Sequence, residues 1–415
     1  MEATSTTDII LNNPAGPFNN MGVPGAKSYH LLYDGYGNPN NLQAGLANPY
    51  FVRMASSPTA TILGDAMAQS PSFFSLWIGN NDILGYALSG GDGSNPITPL
   101  TGGIGIGFTE TYAAIVTTLT SQGAQGVVAN IPNVTNIPHF TTVPYNPLDP
   151  TNPDFGPQIP TLNAVFGQLN QVFTYLGVPE RNIVFSNSEA SAVVIKDESL
   201  QNLSSEIETA LNASPNFKLF VQSFGLSEQA APLVANLFGM VYGQARQATE
   251  DDLLVLPSSN VIGTINSDFM TFLMNQNLPA ALAGQFSIEG ISLPLEDKWV
   301  LIPNEQDEIE AATNSFNAVI DAVRSDAGLA YVDTNTLLNT LATDGLTSGN
   351  YNLSSKLVVG GVFSLDGVHL TARGYSFLAN EFMKAIDATY ESNFEESGML
   401  INVGNYPTNY SPALQ

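Results

Sequence analysis

SLWIGNNDILGY, residues 75–86, carries a largely apolar run straight into two amides and a carboxylate. The run from Phe73 to Ile78 stops at Gly79, and Asn80, Asn81 and Asp82 stand together behind it. Strands of α/β sheets end where ligands bind, so polar residues at that position carry meaning. A glycine there lets backbone approach a ligand closely. An asparagine just past it can aim an amide N–H at developing negative charge. The ordinary account of the same letters is an Asx turn or a helix cap.

The surroundings predict an α/β arrangement. Thr109 and Glu110 open a helix whose apolar stripe is Phe108, Tyr112, Ile115 and Leu119, and Gly123 and Gly126 follow its end. GVVANIP, residues 126–132, then reads as a short buried strand. A strand–helix–strand unit of this kind implies a parallel sheet with right-handed crossovers. The stretch 156–305 is less regular, with amphipathic helices in LNAVFGQLNQVFTYLG, SEIETALNA and APLVANLFGMVYGQ and two strand-like runs, DLLVLP and KWVLIP. Clean order returns after it. Ile309, Ala312, Phe316, Val319, Ile320 and Val323 share a helical face, LAYVD at 329–333 reads as a strand, and a last helix after Thr371 carries Tyr375, Leu378, Phe382 and Ile386. The expected organisation is one sheet built from residues 1–155 and 306–390, an insertion or cap at 156–305, and a tail at 391–415.

Bulk properties narrow the partners. The 415 residues contain 37 acidic and 11 basic side chains, a net charge of −26. Phosphate binding needs clustered Lys and Arg, so nucleic acid is a poor partner, and anionic membrane surfaces are disfavoured for the same reason. The charge reads as a solvated surface; recruitment of cations would need ligand spacings of the EF-hand type, which do not occur. There is no cysteine, hence no disulfide, thiolate metal site or thiol chemistry. The longest apolar stretch, about Ala231 to Tyr242, is broken by Pro232, Asn236 and Gly239 and is too short to span a bilayer. Met1 is followed by Glu-Ala-Thr-Ser-Thr-Thr-Asp, which is not a signal peptide, so the expectation is either a cytoplasmic protein or an incomplete precursor.

Two further stretches stand with the first. NMGVPGAKSY, residues 20–29, brackets Val-Pro with Gly22 and Gly25 before a helix. FSLDGVHLTARGY, residues 363–375, sets Asp366 three residues before His369 at the head of the last helix. That spacing lets a carboxylate fix one imidazole nitrogen while the other faces a substrate. Each alone has a plain explanation, a glycine turn or a solvent-facing pair.

In this order the three stretches resemble the SGNH (GDSL) hydrolase family. Gly79, Asn81 and Asp82 match its GxND block, Asp366 and His369 match DxxH followed by Leu-Thr-x-x-Gly-Tyr, and the glycine block fits NMGVPGAKS with Gly25 as its functional glycine. The matched segments run from residue 20 to 386. The resemblance implies a three-layer α/β/α (flavodoxin-like) parallel sheet and hydrolysis of ester bonds through a serine ester intermediate, with no cofactor and a small-molecule ester as partner. Carried over, His369 is the general base and Asp366 its orienting partner. Gly25 N–H and the Asn81 amide are oxyanion donors, each worth roughly 3–4 kcal/mol in the transition state. Asp82 caps the next helix or braces the loop. Enlarged relatives are commonly exported to the bacterial envelope or beyond.

One part of the pattern is missing. No strand ending in Gly-x-Ser precedes Gly25, Ser5 lies in a Thr-rich polar stretch, and Gly64-Asp65 in ILGDAMAQ is followed by Ala66, which has no hydroxyl. No Gly-x-Ser-x-Gly elbow occurs either. The nucleophile, a third oxyanion donor and the first strand are therefore absent. Two accounts follow: an active hydrolase of which this chain lacks the beginning, with a Gly-(Asp/Asn)-Ser block roughly 30–80 residues upstream of Met1, or a non-catalytic relative that binds ligands in the envelope. His30 reads as packing or surface, His139 as a loop residue able to line a cleft, and three scattered histidines make no metal site. The helices of 160–245 could cover a lipid-like acyl chain or be core, and deacetylation of carbohydrate stays open.

Overall fold

In the computed structural model, which describes residues 16–409, the strands Phe73–Leu76, Gln125–Ala129 and Ala330–Val332 form a parallel sheet in that order. The register pairs Phe74 with Gly126, Val127 with Ala330 and Ala129 with Val332. The sheet is thus assembled from strands on either side of the stretch 156–305. Ser5, the rejected serine, lies outside the described residues.

Among the described residues, 16–86, 95–138 and 308–409 make one compact unit; Ala87–Ser94 and His139–Asp307 make another. In the first unit, Phe108, Tyr112, Ile115 and Leu119 are buried on the helix Phe108–Thr120. Phe108 stacks on Phe316 with ring centroids 4.1 Å apart, tying that helix to the helix Pro303–Asp326. Val127, Ala129, Ala330 and Val332 share one sheet face, and Leu378, Phe382, Ile386 and Tyr390 of the helix Ala372–Tyr390 pack on it. Tyr375, nearer the start of the same helix, is about half exposed. The reason is length. A 19-residue helix spans about 28 Å, whereas strands of three to five residues span about 10–17 Å. Its far end is fixed where the strands begin, because the Tyr390 hydroxyl donates to Gly126 O at 2.8 Å and its ring meets Phe73. The helix therefore runs antiparallel to the strands. Its first turn overhangs their C-terminal edge, the edge that carries Gly79–Asp82.

The second unit has its own core, centred on Phe166, Phe173, Phe217, Phe238 and Tyr242. The strand-like runs DLLVLP and KWVLIP contribute only Leu253–Leu254 and Val300–Leu301, paired antiparallel. Arg246 binds Asp252 through two hydrogen bonds of 2.6 and 2.8 Å and Asp197 at 2.6 Å, a fork that fixes this region. Beside it stand carboxyls raised from their usual range. Burial pushes Asp297 up to about 7, aided by the charge of Glu198 and a hydrogen bond with it. Burial likewise pushes Glu305 up to about 8, against the N–H of Ile302 at 2.8 Å and with the charges of Asp297, Glu198 and Asp197 adding.

A carboxyl raised in the fold keeps a proton that the unfolded chain releases. The contribution of Glu305 is therefore complete below its ordinary value of 4.5 and lost as pH climbs through about 8. Glu305→Gln, which stays neutral, is expected to gain melting temperature over the parent between pH 5 and pH 8.5. A difference in melting temperature that is the same at both pH values rules this out.

Candidate functional site

The glycine block is a tight turn. Val23-Pro24-Gly25-Ala26 closes with Ala26 N–H on Val23 O at 3.2 Å, and Gly25 has φ +78°. Proline at the second position and a left-handed glycine at the third are the signature of a type II turn. Gly25, rather than Gly22, is the residue that needs to be glycine. Its N–H donates to no group among the described residues. Asn48 secures the turn by donating from Nδ2 to Pro24 O at 2.8 Å and to the Tyr36 hydroxyl at 3.1 Å.

The stretch after the Phe73 strand meets this turn directly. Asn81 Nδ2 donates to Ala26 O at 3.0 Å. An amide nitrogen carries two hydrogens, so this bond orients Asn81 and leaves one N–H to give. Asp82 is 1% exposed and accepts from both Ser28 N–H and Ser28 Oγ at 2.7 Å. Burial pushes its carboxyl above the usual range, while the Ser28 donors and, less strongly, the Lys27 charge hold it down. Of the two roles expected of Asp82, bracing is the one observed: it clamps the glycine turn to the helix Asn80–Leu88. Gly79 has φ +114°, and a Cβ there would lie 2.7 Å from Ile131 Cδ1, so both backbone and packing demand glycine.

The second cluster is local. His369 Nδ1 lies 2.7 Å from Asp366 Oδ2. Asp366 Oδ1 accepts from Ser364 Oγ at 2.7 Å and from the N–H groups of Val368 and His369 at 2.9 Å. Burial alone would raise this carboxyl, but those donors outweigh it and hold Asp366 down to about 2. With Nδ1–H given to the carboxylate, Nε2 is left as the acceptor. The imidazole is 63% exposed, and no group among the described residues bonds to Nε2. Thr371 caps the last helix by accepting from Gly374 N–H at 3.0 Å. A Cβ on Gly374 would stand 2.3 Å from Val362 O, which explains the Thr-x-x-Gly spacing.

Gly25, Asn81 and Asp82 are thus one hydrogen-bonded group, and Asp366 with His369 is another. Both belong to the first unit. Sequence reading missed Ser28, Ser364 and Asn48. The first two stand within three residues of the motifs, and nothing in the letters singles out Asn48. The remaining candidates fall away on contacts. His30 stacks on Tyr36 at 4.2 Å and accepts from Lys27 N–H, and burial, then the Lys27 charge, lowers it to about 4. His139, expected on a loop, is buried in the one-turn helix Pro138–Thr141, set edge-on to Phe140. Asp65 clasps Ser56 from the helix Ile62–Met67. Among the described residues no His, Asp or Glu cluster could hold a metal ion, and no helix is long and apolar enough to cross a membrane. No protein-family model, curated protein or solved structure matches the chain.

Proposed function

We propose that this chain carries the oxyanion donors and the base of an SGNH-type ester hydrolase. The observation that carries it is the bond from Asn81 to Ala26. It holds the Asn81 amide against the residue next to Gly25 with one N–H to spare, and the Asp366–His369 pair belongs to the same unit. Two converging donors are what a tetrahedral oxyanion requires. In this mechanism His369 Nε2 takes the proton of a serine hydroxyl as its Oγ attacks the ester carbonyl. Gly25 and Asn81 hold the resulting oxyanion, and the imidazolium returns its proton to the leaving alcohol. Water, activated by the same nitrogen, then releases the acid. The parallel sheet becomes part of a three-layer α/β/α domain.

In this reading the serine belongs to a strand that is not among the described residues. Among the described residues the strand Phe73–Leu76 pairs on one side only. A parallel strand added along its free edge would end beside Gly79 and bring its last residue to the donors. A second reading, a ligand-binding relative without catalysis, is favoured by one observation: Nε2 of His369 faces no hydroxyl among the described residues.

The test uses the form of the protein that includes the serine-bearing strand. That form is expected to hydrolyse short p-nitrophenyl esters and to label with a fluorophosphonate probe, whereas residues 1–415 alone do neither. Asn81→Ala is expected to lower kcat about 10²–10³-fold with little change in KM. Labelling of residues 1–415 alone would locate the nucleophile within them, and unchanged turnover in Asn81→Ala would remove the oxyanion role.

A further inference from the structure

The stretch 93–109, GSNPITPLTGGIGIGFT, holds no charged residue in a chain of net charge −26. Its stem is tied to both halves of the donor group. Lys27 Nζ donates to Asn95 Oδ1 at 2.7 Å and to Pro96 O at 3.1 Å, and Thr98 N–H donates to Asp82 O at 2.9 Å. Beyond the stem the loop turns outward and is held in one shape. Phe108 N–H bonds Pro99 O at 2.8 Å, Thr109 N–H bonds Leu100 O at 2.9 Å, and Gly107 N–H bonds Gly103 O at 2.9 Å. Gly105 N–H is taken by Thr111 Oγ1 at 2.8 Å. Gly102, Gly103 and Gly105 all have positive φ, so the shape depends on them. At the surface of this rigid loop Leu100, Ile104 and Ile106 are 41%, 67% and 60% exposed.

We propose that this loop is a landing site for an uncharged lipid surface, where Leu100, Ile104 and Ile106 enter the acyl region beside the oxyanion donors. Three features select that occupant. The exposed groups are aliphatic and offer no directional bond, and the loop lacks the Tyr, Trp and Arg that anchor protein partners. A preformed loop loses little conformational entropy when it docks. The charge of the whole chain repels anionic surfaces, which leaves neutral or zwitterionic ones. The substrate class that follows, an ester presented from a lipid phase, rests on the hydrolase reading; the docking itself does not.

Flotation with phosphatidylcholine vesicles separates the two. The protein is expected to float with them, Ile104→Ser/Ile106→Ser to partition about tenfold or more weakly, and phosphatidylglycerol added to the vesicles to weaken binding most at low salt. Both substitutions are on exposed side chains, so an unchanged melting temperature certifies the fold of the variant. In the serine-bearing form the double variant should keep its rate on a water-soluble ester and lose rate on a vesicle-dispersed one. Failure of the parent to float, or equal flotation of the variant, overturns the landing loop, as does self-association of the parent that the variant abolishes. Flotation without any esterase activity upholds the loop while the hydrolase reading falls.

Discussion

His369→Ala is expected to lower kcat for a short p-nitrophenyl ester by about 10⁴–10⁶ in the serine-bearing form, with KM nearly unchanged. The size follows from the roles that meet on one nitrogen. In the proposed mechanism Nε2 accepts the serine proton, returns it to the leaving alcohol, and then activates water, so no step of that turnover proceeds normally without it. The stability cost is expected to be small. The imidazole is 63% exposed, and its one bonded partner among the described residues is Asp366. Removing an exposed side chain of this kind shifts stability by about 0.5 kcal/mol at most. The measurement is therefore a pair, kcat together with melting temperature. Activity that survives in a folded variant takes His369 out of the mechanism. Asp366 supports the imidazole throughout the useful pH range, because donors such as Ser364 Oγ and the N–H groups of Val368 and His369 keep it ionised far below neutrality.

The parts of this molecule that were legible from the letters are the local ones. Period-3.6 stripes predicted the helices Phe108–Thr120 and Ala372–Tyr390, because each buries one face against the sheet or a neighbouring helix. Asp366 and His369 were legible because three residues and one Asx-type turn decide their geometry. The exposure of Tyr375 was not legible, because periodicity says which residues share a stripe and not where the partner surface ends. The bond between Asn81 and Ala26 was not legible at all. Those residues are 55 positions apart, and only the closed sheet edge brings them together. The strand Val194–Lys196 and its partner Ala245–Gln247 were missed for a related reason. Three-residue strands carry too little alternation to be distinguished from loop, and their pairing is set by the core around them.

Asp82→Ala is expected to cost about 2–4 kcal/mol, seen as a fall of roughly 5–15 °C in melting temperature, and to lower kcat about tenfold or more. The carboxylate accepts two hydrogen bonds of 2.7 Å from Ser28, one from its N–H and one from its Oγ, in a site that is 1% exposed. Truncation leaves both donors buried without an acceptor, which costs more than the bonds were worth in net stability. The kinetic effect has a separate origin. Asp82 touches no reacting atom in the proposed mechanism; it sets the distance between the Gly25 turn and the head of the helix Asn80–Leu88, and so the angle between two donors that must meet one oxygen. Ser28→Ala separates the contributions. It removes the hydroxyl and keeps the backbone donor on Asp82, so it is expected to cost about 1 kcal/mol with kcat close to the parent. If Asp82→Ala lost stability but kept full kcat, the clamp would be structural only. The alignment of Gly25 with Asn81 would then be held by the Asn81–Ala26 bond and by Asn48 on Pro24.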